Sequence, residues 1–256
     1  MKNNAAWITT PLVLLVLIGI WQFYVTSFSV SPFILPSPVA VGKSVVTLLA
    51  DPRTWQHTLI TLTEIVAGFA IAVIVGITFG GLLGKSRWLE QTLNPLIVGL
   101  QVMPKVALIP LFIVWFGFGM TSKIVLAAVI SFFPIMTNTI LGIKSVEHGH
   151  RDVMLALNAT RWQTFRDVEL PNALPFILTG MEVGIVLATI GAIVGEYLGG
   201  SQGLGYMAVS TLNAFDVQSM FGVILILTVL GLILYFLVVM LRRYLTPWHN
   251  AVAGSR

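Results

Sequence analysis

The sequence predicts an all-α membrane protein: one domain, residues 1–256, of six transmembrane helices with both termini on the cytoplasmic side. Three observations carry this expectation. First, 57% of the 256 residues are apolar and 9% are charged, where a soluble domain carries roughly 25% charged residues. So few charges cannot cover a soluble fold of this length, and the surplus apolar surface has to face lipid. Second, apolar runs recur at 7–30, 58–83, 95–117, 122–142, 173–198 and 220–241, each close to the ~20 residues a spanning helix needs. Lipid offers the backbone no hydrogen-bonding partner, so these runs have to be helices, and the lack of period-2 alternation argues against a barrel. Third, ten basic residues fall in the segments this topology places inside: Lys2, Lys85, Arg87, Lys144, Arg151, Arg161, Arg166, Arg242, Arg243 and Arg256. Three, Lys43, Arg53 and Lys123, fall outside, and this asymmetry sets the orientation.

Each element has its own justification. The run 7–30 is longer than a signal-peptide core and lacks a small-x-small cleavage site, so it reads as a retained helix. The following outer segment, 31–57, opens Ser31-Pro-Phe-Ile-Leu-Pro-Ser-Pro38. Its prolines exclude helix at first, whereas Ser37 and Pro38 suit the cap and first position of a short helix over 39–50. The run 58–83 carries Glu64 and the glycines Gly68, Gly76, Gly80, Gly81 and Gly84, which suit close helix contacts or, alternatively, a gate. In 95–117, Lys105 lies about ten residues in, ~15 Å deep by helical rise. Pro104 and Pro110 on either side predict a kink or a local unwinding. The run 122–142 leads into an inner loop, 143–172. The run 173–198 holds Glu182 and Glu196, and the glycines after it (Gly199, Gly200, Gly203 and Gly205) suit either a hinge or an ordinary turn. The run 220–241 ends at Arg242 and Arg243.

Composition also excludes chemistry. With no cysteine there is neither a disulfide nor a thiolate metal site. The four histidines, His57, His148, His150 and His249, lie in loops and tail, and the His148/His150 pair is too few for a zinc site. No metal and no cofactor is expected. An intramembrane enzyme needs a convergent catalytic set, and no histidine falls within a span. A fused catalytic domain needs at least ~50 residues outside the spans, and no such stretch exists. The net charge of +4 follows membrane topology and does not point to nucleic acid. What remains are four ionisable residues within spans, Glu64, Lys105, Glu182 and Glu196, each a functional candidate because burying it in lipid is costly. Either Lys105 pairs with a glutamate and fixes helix register, or it lines a pathway and attracts an anionic or electron-rich solute.

The loop 143–172 holds eight of the 24 charged residues. Within it, Asp152-Val-Met-Leu-Ala-Leu157 reads as a short helix closed by Asn158, a residue that tolerates the left-handed conformation. Thr160-Arg-Trp-Gln163 has the form of a capping box, predicting a second helix from Arg161 to about Glu169 that stops before Pro171. Trp162, Phe165 and Arg166 cluster after the turn. Such a segment suits a protein partner or, alternatively, a resting place on the membrane surface.

At this loop the sequence resembles the cytoplasmic signature of binding-protein-dependent ABC importer permeases: Glu-Ala-Ala, three residues, Gly, nine residues, Ile-x-Leu-Pro. Counting back from Pro171, Asp152 stands at the glutamate, Val153 and Met154 at the alanines, Asn158 at the glycine and Val168 at the isoleucine, while Leu170 and Pro171 match outright. The resemblance extends to Ile34-Leu-Pro-Ser-Pro38, Val66-Ala-Gly-Phe69, Asn94-Pro-Leu96, Pro110-Leu-Phe-Ile-Val-Trp-Phe-Gly117, Gly195-Glu196 and Gly203-Leu-Gly-Tyr206. These are similar to the nitrate, sulfonate, taurine and bicarbonate branch, whose relatives include importers of riboflavin and thiamine precursors.

The resemblance implies a permease in the cell inner (plasma) membrane, with a cytoplasmic coupling helix between helices four and five. Two permease copies, usually identical, form the translocation pathway. A cytoplasmic ABC ATPase dimer and a periplasmic or lipoprotein solute-binding protein complete the importer. The coupling residues it implies are Asp152, Asn158, Thr160, Arg161, Trp162, Phe165, Arg166, Leu170 and Pro171. The chain itself is then no enzyme, in keeping with the absence of a Gly-x-x-x-x-Gly-Lys-[Ser/Thr] phosphate loop. The alternative of a self-contained secondary transporter would call for inverted repeats with paired broken helices, and no internal repeat is visible.

Overall fold

The computed structural model describes residues 5–248; Lys2, His249 and Arg256, which entered the charge and histidine readings, lie outside them. The described residues are helical without a strand. In order they form α1 (Ala5–Ser27), α2 (Pro38–Ala50), α3 (Pro52–Lys85), α4 (Arg87–Val102), α5 (Ile109–Phe116) and α6 (Met120–Lys144). These are followed by α7 (His148–Ala156), α8 (Arg161–Thr164), α9 (Leu170–Gly199), α10 (Leu204–Asn213) and α11 (Val217–Leu245). Five helices are long and apolar enough to cross a membrane, and a sixth span arises if the bent pair α4–α5 counts as one.

The centre is the triplet α3, α6 and α9, held by small residues. A Cβ on Gly68 would lie 2.6 Å from Ala127 Cβ, and one on Gly191 would lie 2.9 Å from Ala127 Cα. The glycines of α3 and α9 thus both press against α6, which favours packing over gating for that series. Around them Ile65, Ala127, Ile185, Ala188, Ala192, Leu234 and Val238 form a core shared by α3, α6, α9 and α11. Close apposition of this kind is intolerant of added volume. In Gly80→Val the new Cβ would sit 2.6 Å from the Met136 carbonyl oxygen, so thermal unfolding in detergent should show destabilisation by about 1–3 kcal/mol. Gly42→Val, with nothing within 4 Å of the added carbon, should leave the midpoint unchanged.

Several expected elements differ in detail. The run 95–117 is broken beside Lys105, as its flanking prolines predict, but its first half begins earlier than expected: α4 starts at Arg87, capped by Ser86 Oγ accepting from Leu89 N, and ends at Val102. A 3₁₀ turn over Lys105–Leu108 precedes α5, and the two halves meet at 82°. Pro104 is the cause, because the residue before a proline is forced out of helical geometry, and Met103 has ψ 129°. None of the residues of α4 is buried in this single chain. The second correction concerns Pro171. Helix does not stop there but runs from Arg161 to Gly199 through a π turn at Phe165–Glu169. Leu170 N donates to the Phe165 carbonyl five residues back, and the wider turn accommodates a proline that has no N–H to give. Third, the glycine-rich stretch after Glu196 leads into a helix of its own, α10. The helix expected over 39–50 begins one residue earlier, with Ser37 Oγ accepting from Ala40 N at 3.2 Å.

Candidate functional site

The exposed turn between α7 and α8 is built by local rules. Asn158 has φ 53°, the left-handed geometry that ends a helix. Ala159 N donates to Met154 O at 2.9 Å, and Asn158 N to Leu155 O at 3.0 Å. The capping box is complete: Gln163 N donates to Thr160 Oγ1 at 3.3 Å, and Thr160 N donates to Gln163 Oε1 at 2.7 Å. The two helices therefore present one preformed surface. Val153, Leu155, Leu157 and Trp162 are all exposed on it, with Asp152, Arg161 and Arg166 exposed beside them. Trp162 stacks on Phe165 at 5.7 Å. Leu170 and Pro171 lie where the segment enters α9. Exposed apolar side chains ringed by charge mark a contact surface.

At the opposite end of α3 lies a buried polar cluster that joins four helices. Glu196 on α9, 1% exposed, accepts from Thr61 Oγ1 on α3 at 2.6 Å and from Gly205 N on α10 at 2.5 Å. Glu64, 2% exposed, sits against the Glu196 carboxyl. Lys123 on α6, 3% exposed, donates to the carbonyls of Phe118, Gly119 and Gly199, the last at 2.7 Å. Its ammonium supplies the positive charge facing the two carboxyls. Leu204 N donates to Thr61 Oγ1 at 2.8 Å and Gly203 N to His57 Nδ1 at 2.9 Å. The backbone of the glycine stretch wraps the carboxylate so tightly that a Cβ on Gly203 would fall 2.0 Å from Glu196 Oε1. Gly203 also has φ 101°, so both space and conformation require glycine there.

The four ionisable residues within the spans thus separate. Glu64 and Glu196 lie against each other, within electrostatic range of Lys123. Glu182, on the other half of α9, pairs with Arg242 Nε at 2.9 Å. Lys105 lies in the α4–α5 break, where Nζ donates to Gln101 O at 2.7 Å and stands 5.0 Å from the Phe133 ring centroid. Among the described residues it pairs with no carboxylate. It borders a cavity of about 300 Å³ lined by Ile71, Val75, Leu100, Met103, Phe132 and other apolar side chains. Sequence reasoning missed Lys123, Thr61 and His57. Lys123 stood one residue inside an expected span, the single signal that could have marked it as buried rather than as a loop charge. No group of three or more His, Asp or Glu among the described residues could hold a metal ion.

Comparison with known proteins agrees with this architecture. The profile of the family described as the inner membrane component of binding-protein-dependent transport systems matches residues 68–248. The chain is 40% identical to the riboflavin transport system permease protein RibX of Chloroflexus aurantiacus, over 93% of this chain and 89% of that protein. It is 33% identical to the formylaminopyrimidine transport permease protein ThiX of Halalkalibacterium halodurans, over 98% and 99%. With the taurine transport system permease protein TauC of Escherichia coli it shares 32%, over 93% and 89%. In fold it resembles a chain of the inward-facing MetNI methionine ABC transporter, with TM-score 0.67 and 21% identity, over 77% of this chain and 99% of that one.

Proposed function

The chain belongs to the family of inner-membrane components of binding-protein-dependent transport systems and is an ABC importer permease, and from that premise we propose how its parts work. The segment 148–171 is the coupling element, and the groove of a cytoplasmic ABC ATPase is its partner. Its end of the bundle faces the cytoplasm. The α10 end faces a solute-binding protein that delivers solute from outside. A second, identical copy covers the faces that α4 leaves bare, and the whole of 1–256 acts as a single permease domain. The observation that carries this reading is the preformed α7–Asn158–α8 turn with its exposed Arg161, Trp162 and Arg166, since arginine and tryptophan dominate the energetic centres of protein interfaces.

For the solute, the relatives named above are permeases for riboflavin, formylaminopyrimidine and taurine, and further relatives are described as a putative aliphatic sulfonates transport permease and a nitrate import permease. Lys105 beside Phe133 in an otherwise apolar cavity favours the organic members of that range. A flat or aliphatic body would meet the walls, and an anionic or electron-rich group would meet the ammonium. Glu64, Glu182 and Glu196 are proposed to brace the pathway walls, since their carboxyls engage neighbouring helices. Lys105→Met should lower ATP-driven uptake about tenfold, the value of one lost charge-assisted contact, without loss of partner binding. The function as a whole is tested by reconstituting the chain with its ATPase and binding protein, identifying the solute by thermal shift of the binding protein, and measuring uptake. Uptake that needs ATP and all three components supports the reading; uptake by this chain alone would support the secondary transporter.

A further inference from the structure

The last residue of α3, Lys85, reaches across to the π turn between α8 and α9. Its ammonium lies 3.1 Å from Glu169 Oε2 and 3.9 Å from the centroid of the Phe165 ring. Phe165 and Glu169 are the first and last residues of that turn, and residues four apart share a helix face. The turn therefore offers a ring and a carboxylate side by side, and one cation engages both. Phe165 in turn stacks on Trp162, which is 66% exposed. A continuous line of contacts thus leads from the exposed surface through Trp162 and Phe165 to the end of α3.

From Lys85 the line continues as a rod. α3 is one uninterrupted helix of 34 residues, about 50 Å long, pressed along its glycines against α6. Its far end holds His57 and Thr61, which carry the start of α10 and the Glu196 carboxylate. The coupling segment is covalently continuous with α9, so motion there reaches α9 directly. To α3, among the described residues, Lys85 makes a polar connection.

We infer that Lys85 is a positioning residue for transport: it fastens α3 to the coupling segment, so that movement of that segment is delivered to the Thr61–Glu196 cluster at the other end of the helix. This rests on the reading of 148–171 as the coupling segment. The Lys85 side chain is 45% exposed and that of Glu169 13%, and an ion pair open to solvent at its lysine contributes only modestly to stability. Its importance should therefore appear in coupling and not in folding. Arginine can keep both the carboxylate pair and the contact with the ring, methionine neither, and glutamate would repel Glu169.

The experiment compares Lys85→Arg, Lys85→Met and Lys85→Glu in proteoliposomes with the ATPase and the loaded binding protein, reading solute moved per ATP hydrolysed. Thermal midpoint and ATPase co-purification are measured alongside. Expected are wild-type midpoints and co-purification for all three, near-normal stoichiometry for Lys85→Arg, and losses of at least about fivefold, the low end of coupling between distant sites, for Lys85→Met and more for Lys85→Glu. Normal stoichiometry in Lys85→Met, or equal loss in Lys85→Arg, would overturn the inference. If instead the wild-type chain fails to associate with the ATPase, the reading of the coupling segment fails, and that outcome is distinguishable because it does not depend on Lys85.

Discussion

Reversing both Arg161 and Arg166 to glutamate is expected to abolish ATP-driven uptake, by about a hundredfold or more, while the protein should still reach the membrane at its normal level. Both arginines are exposed, so their loss should leave folding intact. Truncating an interfacial arginine at an energetic centre typically costs about 2–4 kcal/mol, and reversing two charges adds repulsion to that loss. The appropriate comparison is Arg243→Glu, an exposed charge at the end of α11, which should transport normally. Membrane level by immunoblot, ATPase retention and uptake separate the outcomes. Normal uptake in the double variant would remove the coupling role from these residues, and equal loss in Arg243→Glu would show only a general charge effect.

Glu196→Ala is expected to be the most destabilising single change in the chain. The carboxylate organises Thr61, Gly205 and, through its charge, Lys123. Its removal leaves the Gly205 N–H unpaired and takes from Thr61 its shortest hydrogen bond, so that the hydroxyl keeps only the His57 carbonyl at 3.2 Å as acceptor, together with a cation that has lost part of its counter-charge. Breaking a buried charged arrangement by deleting one member costs about 3–5 kcal/mol, on the order of a 5–10 °C fall in the thermal midpoint of the purified protein. Glu196→Gln keeps the shape and one acceptor and should fall less. A midpoint unchanged in Glu196→Ala would show that the cluster does not hold the four helices together.

What could be read in the sequence was local. Ser37-Pro38, the Thr160–Gln163 box and Asn158 specify caps and turns from side chains within a few residues, and each appears as expected. Apolar run length found the spans for the same reason, since hydrocarbon thickness acts on contiguous sequence. The misses were of two kinds. Pro171 reads as a stop because an ordinary helix offers no other solution, and the π turn that admits it depends on where α9 must continue. The Glu196 cluster joins residues 135 positions apart to Thr61 and, through Gly199, 76 apart to Lys123. No local rule pairs such residues, so Glu64 and Glu196 read as possible partners of Lys105, and Lys123 as a charge of an outer segment. The glycines at 203 and 205 were visible, but the carboxylate they make room for was not.

The chain has no cysteine, so a single introduced one is a unique chemical handle on the contact with the ATPase. Ala159→Cys places it in the α7–α8 turn, and Ser31→Cys places it in the loop between α1 and α2. Each is expressed with the ATPase subunit carrying one cysteine at the rim of its helix-binding groove, and oxidised in membranes. A covalent permease–ATPase adduct from Ala159→Cys and none from Ser31→Cys is the expected result. An adduct from Ser31→Cys, or none from Ala159→Cys while the two proteins co-purify, would contradict the assignment of residues 148–171 as the segment through which this permease is driven.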